Sequence, residues 1–222
     1  MPDLHAQIAG VFVGRPTVIG EVRGRPVESA IAKQRSTAPT LALSATNLAG
    51  DRQADLSVHG GPDKAVYAYP AGHYPAWWAD GFAAEVGGFG ENVTLDGVDE
   101  HAVLVGDVWQ WGDALLQVSQ PRAPCFKLAL HAGRKDVGPR MIATGRCGWY
   151  FRVVREGTVP TAGALDLVDR LAAAPSIAET FAALFGVAGA GVDRAVAGRV
   201  LASPALADSW REPLLARRAR SA

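Results

Sequence analysis

The chain has 222 residues, 49% of them hydrophobic, enough for one domain with a real core or one domain with a small appendage. Lys+Arg and Asp+Glu both number 22, so the formal net charge is zero and the basic surplus of a nucleic-acid binder is missing. No apolar run approaches the ~20 residues of a membrane-spanning helix. Met1 to Gly14 lacks a basic stretch followed by an apolar one, so the expectation is a cytoplasmic protein that meets neither membrane nor nucleic acid.

Taken in order, the first two-thirds reads as β, with Gly and Pro dense enough for short strands and tight turns. Ile8 to Val13 is a short apolar run, Leu41 to Leu48 alternates apolar and small polar residues, and Ala65 to Tyr69 stops at Pro70. Gly72-His73-Tyr74-Pro75 leads into Ala76-Trp77-Trp78-Ala79, a short aromatic helix. Val108-Trp109-Gln110-Trp111, then Gly112-Asp113, then Ala114 to Ser119 predicts a hairpin with Gly where the turn needs positive φ. Trp149 to Val154 reads as another strand, with Glu156-Gly157 as its turn. Short strands with one inserted helix predict a mainly β barrel over a parallel sheet.

From about Pro175 the texture changes. Ser176-Ile177-Ala178-Glu179 is a capping box, and Ile177, Phe181, Leu184 and Phe185 follow at helical spacing. Val192, Val196 and Val200 mark a second helix. Ser209-Trp210-Arg211-Glu212 repeats the capping-box pattern for a third, with Pro213 in its first turn. The expected organisation is a barrel over residues 1–170 and a three-helix appendage over 171–222.

Three stretches carry chemistry. In Gly50-Asp51-Arg52-Gln53-Ala54-Asp55 running to Val58-His59-Gly60-Gly61-Pro62-Asp63-Lys64, a ring sits beside glycine backbone that can approach a ligand; a β-turn with a surface His and Lys is the other reading. In Gly87-Gly88-Phe89-Gly90-Glu91-Asn92, glycine N–H groups can form an anion-binding nest and Asn92 can read a heterocycle edge; the alternative is a plain glycine loop. In Ser119-Gln120-Pro121-Arg122-Ala123-Pro124-Cys125-Phe126-Lys127, prolines stiffen the loop and cations flank a thiol, favouring the thiolate. A thiolate is a nucleophile and a soft metal ligand; a buried Cys used as a small apolar residue is the alternative. The other cysteine, Cys147, reads as structural or incidental. No Cys-x-x-Cys, His-Glu-x-x-His or Gly-x-Ser-x-Gly occurs, so a metal on Cys125 would need non-protein ligands.

Together these blocks resemble the MOSC family, most closely its YiiM-type subgroup, also described as 6-N-hydroxylaminopurine reductases. The matching residues are Ser29 to Lys33, Gly50 to Gln53, Val58 to Lys64, Tyr69-Pro70 with His73-Tyr74, Phe89 to Asn92, Gly106-Asp107, Val118 to Arg122, Pro124 to Leu128, and Gly145 with Gly148-Trp149. The C-terminal helices are similar to that subgroup's three-helix addition, so the likeness spans nearly the whole chain.

The resemblance implies a β-barrel holding a molybdenum–molybdopterin cofactor, with Cys125 as metal ligand and catalytic residue. It implies two-electron reduction of N–OH groups on bases and similar compounds. Lys33, His59, Gly60, Asn92, Arg122 and Lys127 are the candidate cofactor contacts, with Arg122, Lys127 and Lys33 neutralising the phosphate and Asn92 meeting the pterin edge. His59, Asp63 or a metal-bound water is the candidate acid. With no flavin or nicotinamide fingerprint in the chain, a separate electron-donating reductase, a flavoprotein, is the expected partner. Two other uses fit the same residues: a sulfur carrier with a Cys125 persulfide, or a cofactor carrier without turnover. Tyr67, Tyr69, Tyr74, Trp77 and Trp78 either wall a pocket for a flat base or form plain core.

Overall fold

A computed structural model describes residues 4–54, 60–186 and 194–220. Its strands are β1 (His5–Val13), β2 (Thr17–Val22), β3 (Arg25–Ser29), β4 (Gln34–Arg35), β5 (Thr40–Leu43), β6 (Val66–Pro70), β7 (Val93–Asp96), β8 (Val108–Trp111), β9 (Ala114–Pro121), β10 (Trp149–Arg155), β11 (Gly157–Pro160) and β12 (Ala164–Asp169). Its α-helices are α1 (Tyr74–Ala79), α2 (Phe126–Ala132), α3 (Val137–Thr144), α4 (Ile177–Phe185), α5 (Arg194–Ala202) and α6 (Asp208–Arg220).

Alternation builds the barrel wall. Ala114, Leu116 and Val118 on β9 are fully buried, and they face Trp109 and Trp111 of β8 and Phe151 of β10. Opposing Trp111 to Ala114 and Trp109 to Leu116 sets large against smaller side chains, which lets them fill a narrow interior. Hydrogen bonding runs β12-β8-β9-β10-β6-β7-β1 and returns to β12, closing a seven-stranded barrel, with β4 hanging on β1. Closure leaves those seven strands no open edge.

Every pairing in the ring is antiparallel except β6 with β7. A parallel pair cannot be joined by a hairpin; it needs a crossover. That requirement explains the aromatic helix expected at Tyr74–Ala79: α1 lies on the connection from β6 to β7. Tyr74 and Trp77 pack inward against Tyr69 and Phe89, while Trp78 is exposed.

The structure departs from the sequence reading in four places. Two further helices, α2 and α3, fill the segment between β9 and β10, each ending on a left-handed glycine, Gly133 and Gly145. A two-stranded arm, β2–β3, turns at Arg23-Gly24, both at positive φ. Glu156-Gly157 is not a hairpin turn, because β11 leaves β10 and pairs with β5. Finally, α6 starts at Asp208, so Ser209 is inside the helix and Pro213 falls past its first turn.

The Ser176 capping box forms as expected: its hydroxyl accepts from Glu179 N–H at 3.0 Å and the Glu179 carboxylate accepts from Ser176 N–H at 2.9 Å. Of the valines marking the second helix, Val196 and Val200 lie on α5, and Val192 is outside the described residues. Phe181, Phe185 and Trp210 form an aromatic cluster that joins α4 to α6. These helices are stitched to the barrel by backbone bonds: Ile177 N–H to Val103 O (2.9 Å), Val105 N–H to Pro175 O (2.9 Å) and Ala207 N–H to Ser119 O (3.1 Å). Among the described residues no helix is long and apolar enough to cross a membrane.

Candidate functional site

β9 runs out at Pro121 and delivers the stiff loop to α2, with Cys125 at the helix N-cap in extended backbone. Neither cysteine is in a disulfide, and Cys125 is half-buried. Cys125 therefore stands at the positive end of the α2 dipole. Arg122 is only 5% exposed. Its guanidinium sits 5.2 Å from the Tyr67 ring centre and 3.6 Å from the Met141 sulfur, and it interacts electrostatically with Cys125. Among the described residues no carboxylate forms an ion pair with it. Burial pushes the Tyr67 and Tyr150 phenols above the usual tyrosine range, opposed by the Arg122 charge, so both face it as neutral hydroxyls.

The facing wall centres on Asp51, which is 2% exposed. It accepts hydrogen bonds from Gly14 N–H (2.8 Å) and Asn92 Nδ2 (2.9 Å) and pairs with the Lys33 ammonium. Desolvation lowers the Lys33 pKa, and the Asp51 charge opposes that shift. Asn92 is fully engaged: Nδ2 also donates to Phe12 O at 3.3 Å, and Oδ1 accepts from Tyr67 N–H at 3.0 Å. Its amide therefore positions Asp51 and, through it, Lys33.

The glycine nest expected at Gly87–Gly90 holds an anion, but the anion is the protein's own. The Glu91 carboxylate accepts from Gly87 N–H (3.0 Å), Phe89 N–H (3.1 Å), Thr94 Oγ1 (2.8 Å) and the Tyr74 hydroxyl. Burial raises the pKa of this carboxyl, and the Tyr74 hydrogen bond leads the contacts that pull it back. Glu91→Gln replaces one acceptor oxygen by a donor that faces other donors. It should destabilise the protein by about 1–3 kcal/mol, read as a lower urea midpoint with an unchanged slope.

Lys33, Gly60, Asn92, Arg122, Cys125 and Lys127 all line one cavity of about 270 Å³. Gly60 needs its positive φ of 94° there, and a Cβ would press on Gln53. His59, proposed beside it, lies outside the described residues. Asp63 does not line the cavity; its carboxylate accepts from Arg152 Nε at 2.7 Å. Of the five candidate aromatics only Tyr67 reaches the cavity. Sequence reasoning missed Asp51, Gln120, Tyr150, Ser209 and Trp210, which also line it. An adjoining cavity of about 420 Å³ shares Lys33 and Phe89 with the first.

Among the described residues no group of three His, Cys, Asp or Glu side chains can hold a metal ion. A metal at Cys125 would take one thiolate from the protein and the rest from a carried ligand. The donor set fits such a ligand: a soft sulfur for the metal, and a buried guanidinium lacking a carboxylate for an anionic group.

A closed small barrel gathers one thiol, the buried Arg122 guanidinium and the lysines Lys33 and Lys127 into a single pocket, the class of fold and site that this chain presents. The chain belongs to the MOSC domain family, whose description matches residues 55–164. The uncharacterized protein YflK of Bacillus subtilis is 39% identical over 223 residues, spanning 99% of this chain and 98% of its own. Protein YiiM of Escherichia coli is 42% identical over 166 residues, 72% of this chain and 71% of its own. The crystal structure of YiiM from Geobacillus stearothermophilus superposes with a TM-score of 0.77 at 34% identity, covering 96% of this chain and 98% of that one.

Proposed function

We propose that the chain is a cytoplasmic reductase of N-hydroxylated bases and related N-hydroxylated compounds, dependent on a molybdenum–molybdopterin cofactor. The observation that carries this reading is the pairing of the half-buried Cys125 thiol with the buried Arg122 guanidinium in one cavity. When bound, the cofactor supplies two-electron chemistry at an oxygen-accepting metal. The protein's residues hold and orient. Cys125 is the thiolate ligand, Arg122 and Lys127 neutralise the anionic end, and Lys33 is presented by Asp51 and Asn92. Gly60 lets backbone approach closely.

Reduction of R–NH–OH consumes two electrons and two protons and releases R–NH2 and water. A separate flavoprotein is the electron source in this reading, since the chain carries no flavin or nicotinamide fingerprint.

The test is elemental analysis of protein expressed with molybdate, followed by turnover of 6-N-hydroxylaminopurine to adenine with a supplied reductant. About one molybdenum per chain with turnover is the expected result. A molybdenum-free protein carrying a persulfide on Cys125 would favour a sulfur carrier, and bound pterin without turnover would favour a carrier of the cofactor.

A further inference from the structure

Gln120 lies on β9 two residues before Arg122, is 2% exposed, and lines the Cys125 cavity. Its Oε1 accepts a hydrogen bond from the Ser209 hydroxyl at 2.6 Å. Its amide nitrogen has no hydrogen-bond partner among the described residues. An amide NH2 carries two donors, and this nitrogen is not among the fully enclosed polar atoms that lack a partner, so its donors stay open to a ligand. The other buried neutral amide at this cavity, Asn92, has both donors engaged by protein. Among the described residues Gln120 is therefore the buried amide here with donors left for a ligand, beside the indole N–H of Trp210, which also makes no hydrogen bond to protein.

Its anchor comes from the C-terminal helices. Ser209 stands in the first turn of α6, and the segment before it is tied down where Ala207 N–H meets Ser119 O (3.1 Å) and Arg152 Nη2 meets Ala205 O (2.9 Å). Trp210, next in sequence and 2% exposed, lines the same cavity, as do Tyr67 and Tyr150. The helical unit thus completes the pocket wall.

We propose that Gln120, fixed by Ser209, is the specificity-determining donor of this pocket and reads a ring nitrogen of a heteroaromatic base. The inference rests on the reductase reading for its substrate class. Anions are matched by Arg122, Lys33 and Lys127; a neutral NH2 matches a neutral acceptor instead. In a 6-substituted purine, N1 is bonded to the carbon that bears the exocyclic N–OH, and N7 lies one ring carbon further on. Hydrogen bonding to one of them holds the N–OH in the cavity that Cys125 lines, five residues along the chain.

The experiment is calorimetric titration of adenine, the reduction product, into the cofactor-loaded full chain, alongside Gln120→Leu and Ser209→Ala. Each substitution should weaken adenine binding about tenfold, with molybdenum per chain equal to wild type. If Gln120→Leu fails to fold, Ser209→Ala decides. Unchanged affinity in the variants, no adenine binding by wild type, or loss of molybdenum on substitution would each overturn the proposal, the last by placing Gln120 on the cofactor. Gln120-dependent adenine binding without turnover of the N-hydroxylated base would leave it standing and remove the reductase reading alone.

Discussion

Cys125→Ser should leave the protein folded and abolish N–OH reduction, with a loss larger than the about 100-fold that removing a supporting hydrogen bond costs a metal site. A serine hydroxyl is nearly isosteric with the thiol, but it stays protonated near neutrality and is a hard ligand where a soft one is required. Molybdenum per chain should fall with activity, which separates lost ligation from a blocked substrate. Cys147→Ala is the control. Cys147 is fully buried, and burial, helped by the Glu100 charge, pushes its thiol pKa well above the usual range, so it remains a protonated apolar side chain. Its backbone N–H bonds to Glu100 Oε1 at 2.9 Å and survives the substitution. Removing one buried sulfur should cost about 1–2 kcal/mol and leave turnover intact. Wild-type turnover in Cys125→Ser, or its loss in Cys147→Ala, would end the assignment.

Local signals were legible where local forces decide. The β8–β9 hairpin is written in two-residue alternation around Gly112, and its left-handed φ of 57° is the one such a turn demands. The Ser176 box is similarly self-contained. Ring closure was not legible: His5 pairs with Asp166 on strands far apart in sequence, and nothing near either residue announces the partner. The start of α6 was misplaced for a tertiary reason, since the Ser209 hydroxyl that capping would use bonds Gln120 across the domain. α2 and α3 are seven and eight residues long, too short for apolar periodicity to declare them.

The candidate site divides the same way. Arg122, Cys125 and Lys127 share one loop and helix turn, so charge next to a thiol could be read directly. Asp51 stands in a stretch the sequence singles out, but its role was not legible there, because it depends on Gly14, Lys33 and Asn92 arriving from three other segments. The glycine-rich stretch misled for an instructive reason. Backbone donors in a nest attract the nearest carboxylate, and Glu91 stands within the same loop.

Arg122→Met should move stability and cofactor content in opposite directions. A guanidinium 5% exposed, with no carboxylate partner among the described residues, carries a desolvation cost of several kcal/mol. The Tyr67 ring face returns about 0.5–2 kcal/mol of that, and the Met141 sulfur is a weak acceptor. A methionine of similar reach fits the same space without the charge. Cofactor-free Arg122→Met should therefore melt above cofactor-free wild type, each kcal/mol gained raising the midpoint by about 2–4 °C for a chain of this size. Molybdenum bound per chain should fall sharply, since the buried cation that offsets an anionic ligand is gone. Arg122→Lys should retain part of the binding, keeping the charge but losing the planar fork that grips two oxygens at once. The two readings part on the cofactor-free melt. A guanidinium kept for the fold predicts that Arg122→Met melts well below wild type; one kept for a ligand predicts the reverse, because a functional site tolerates a destabilising group that packing alone would not select.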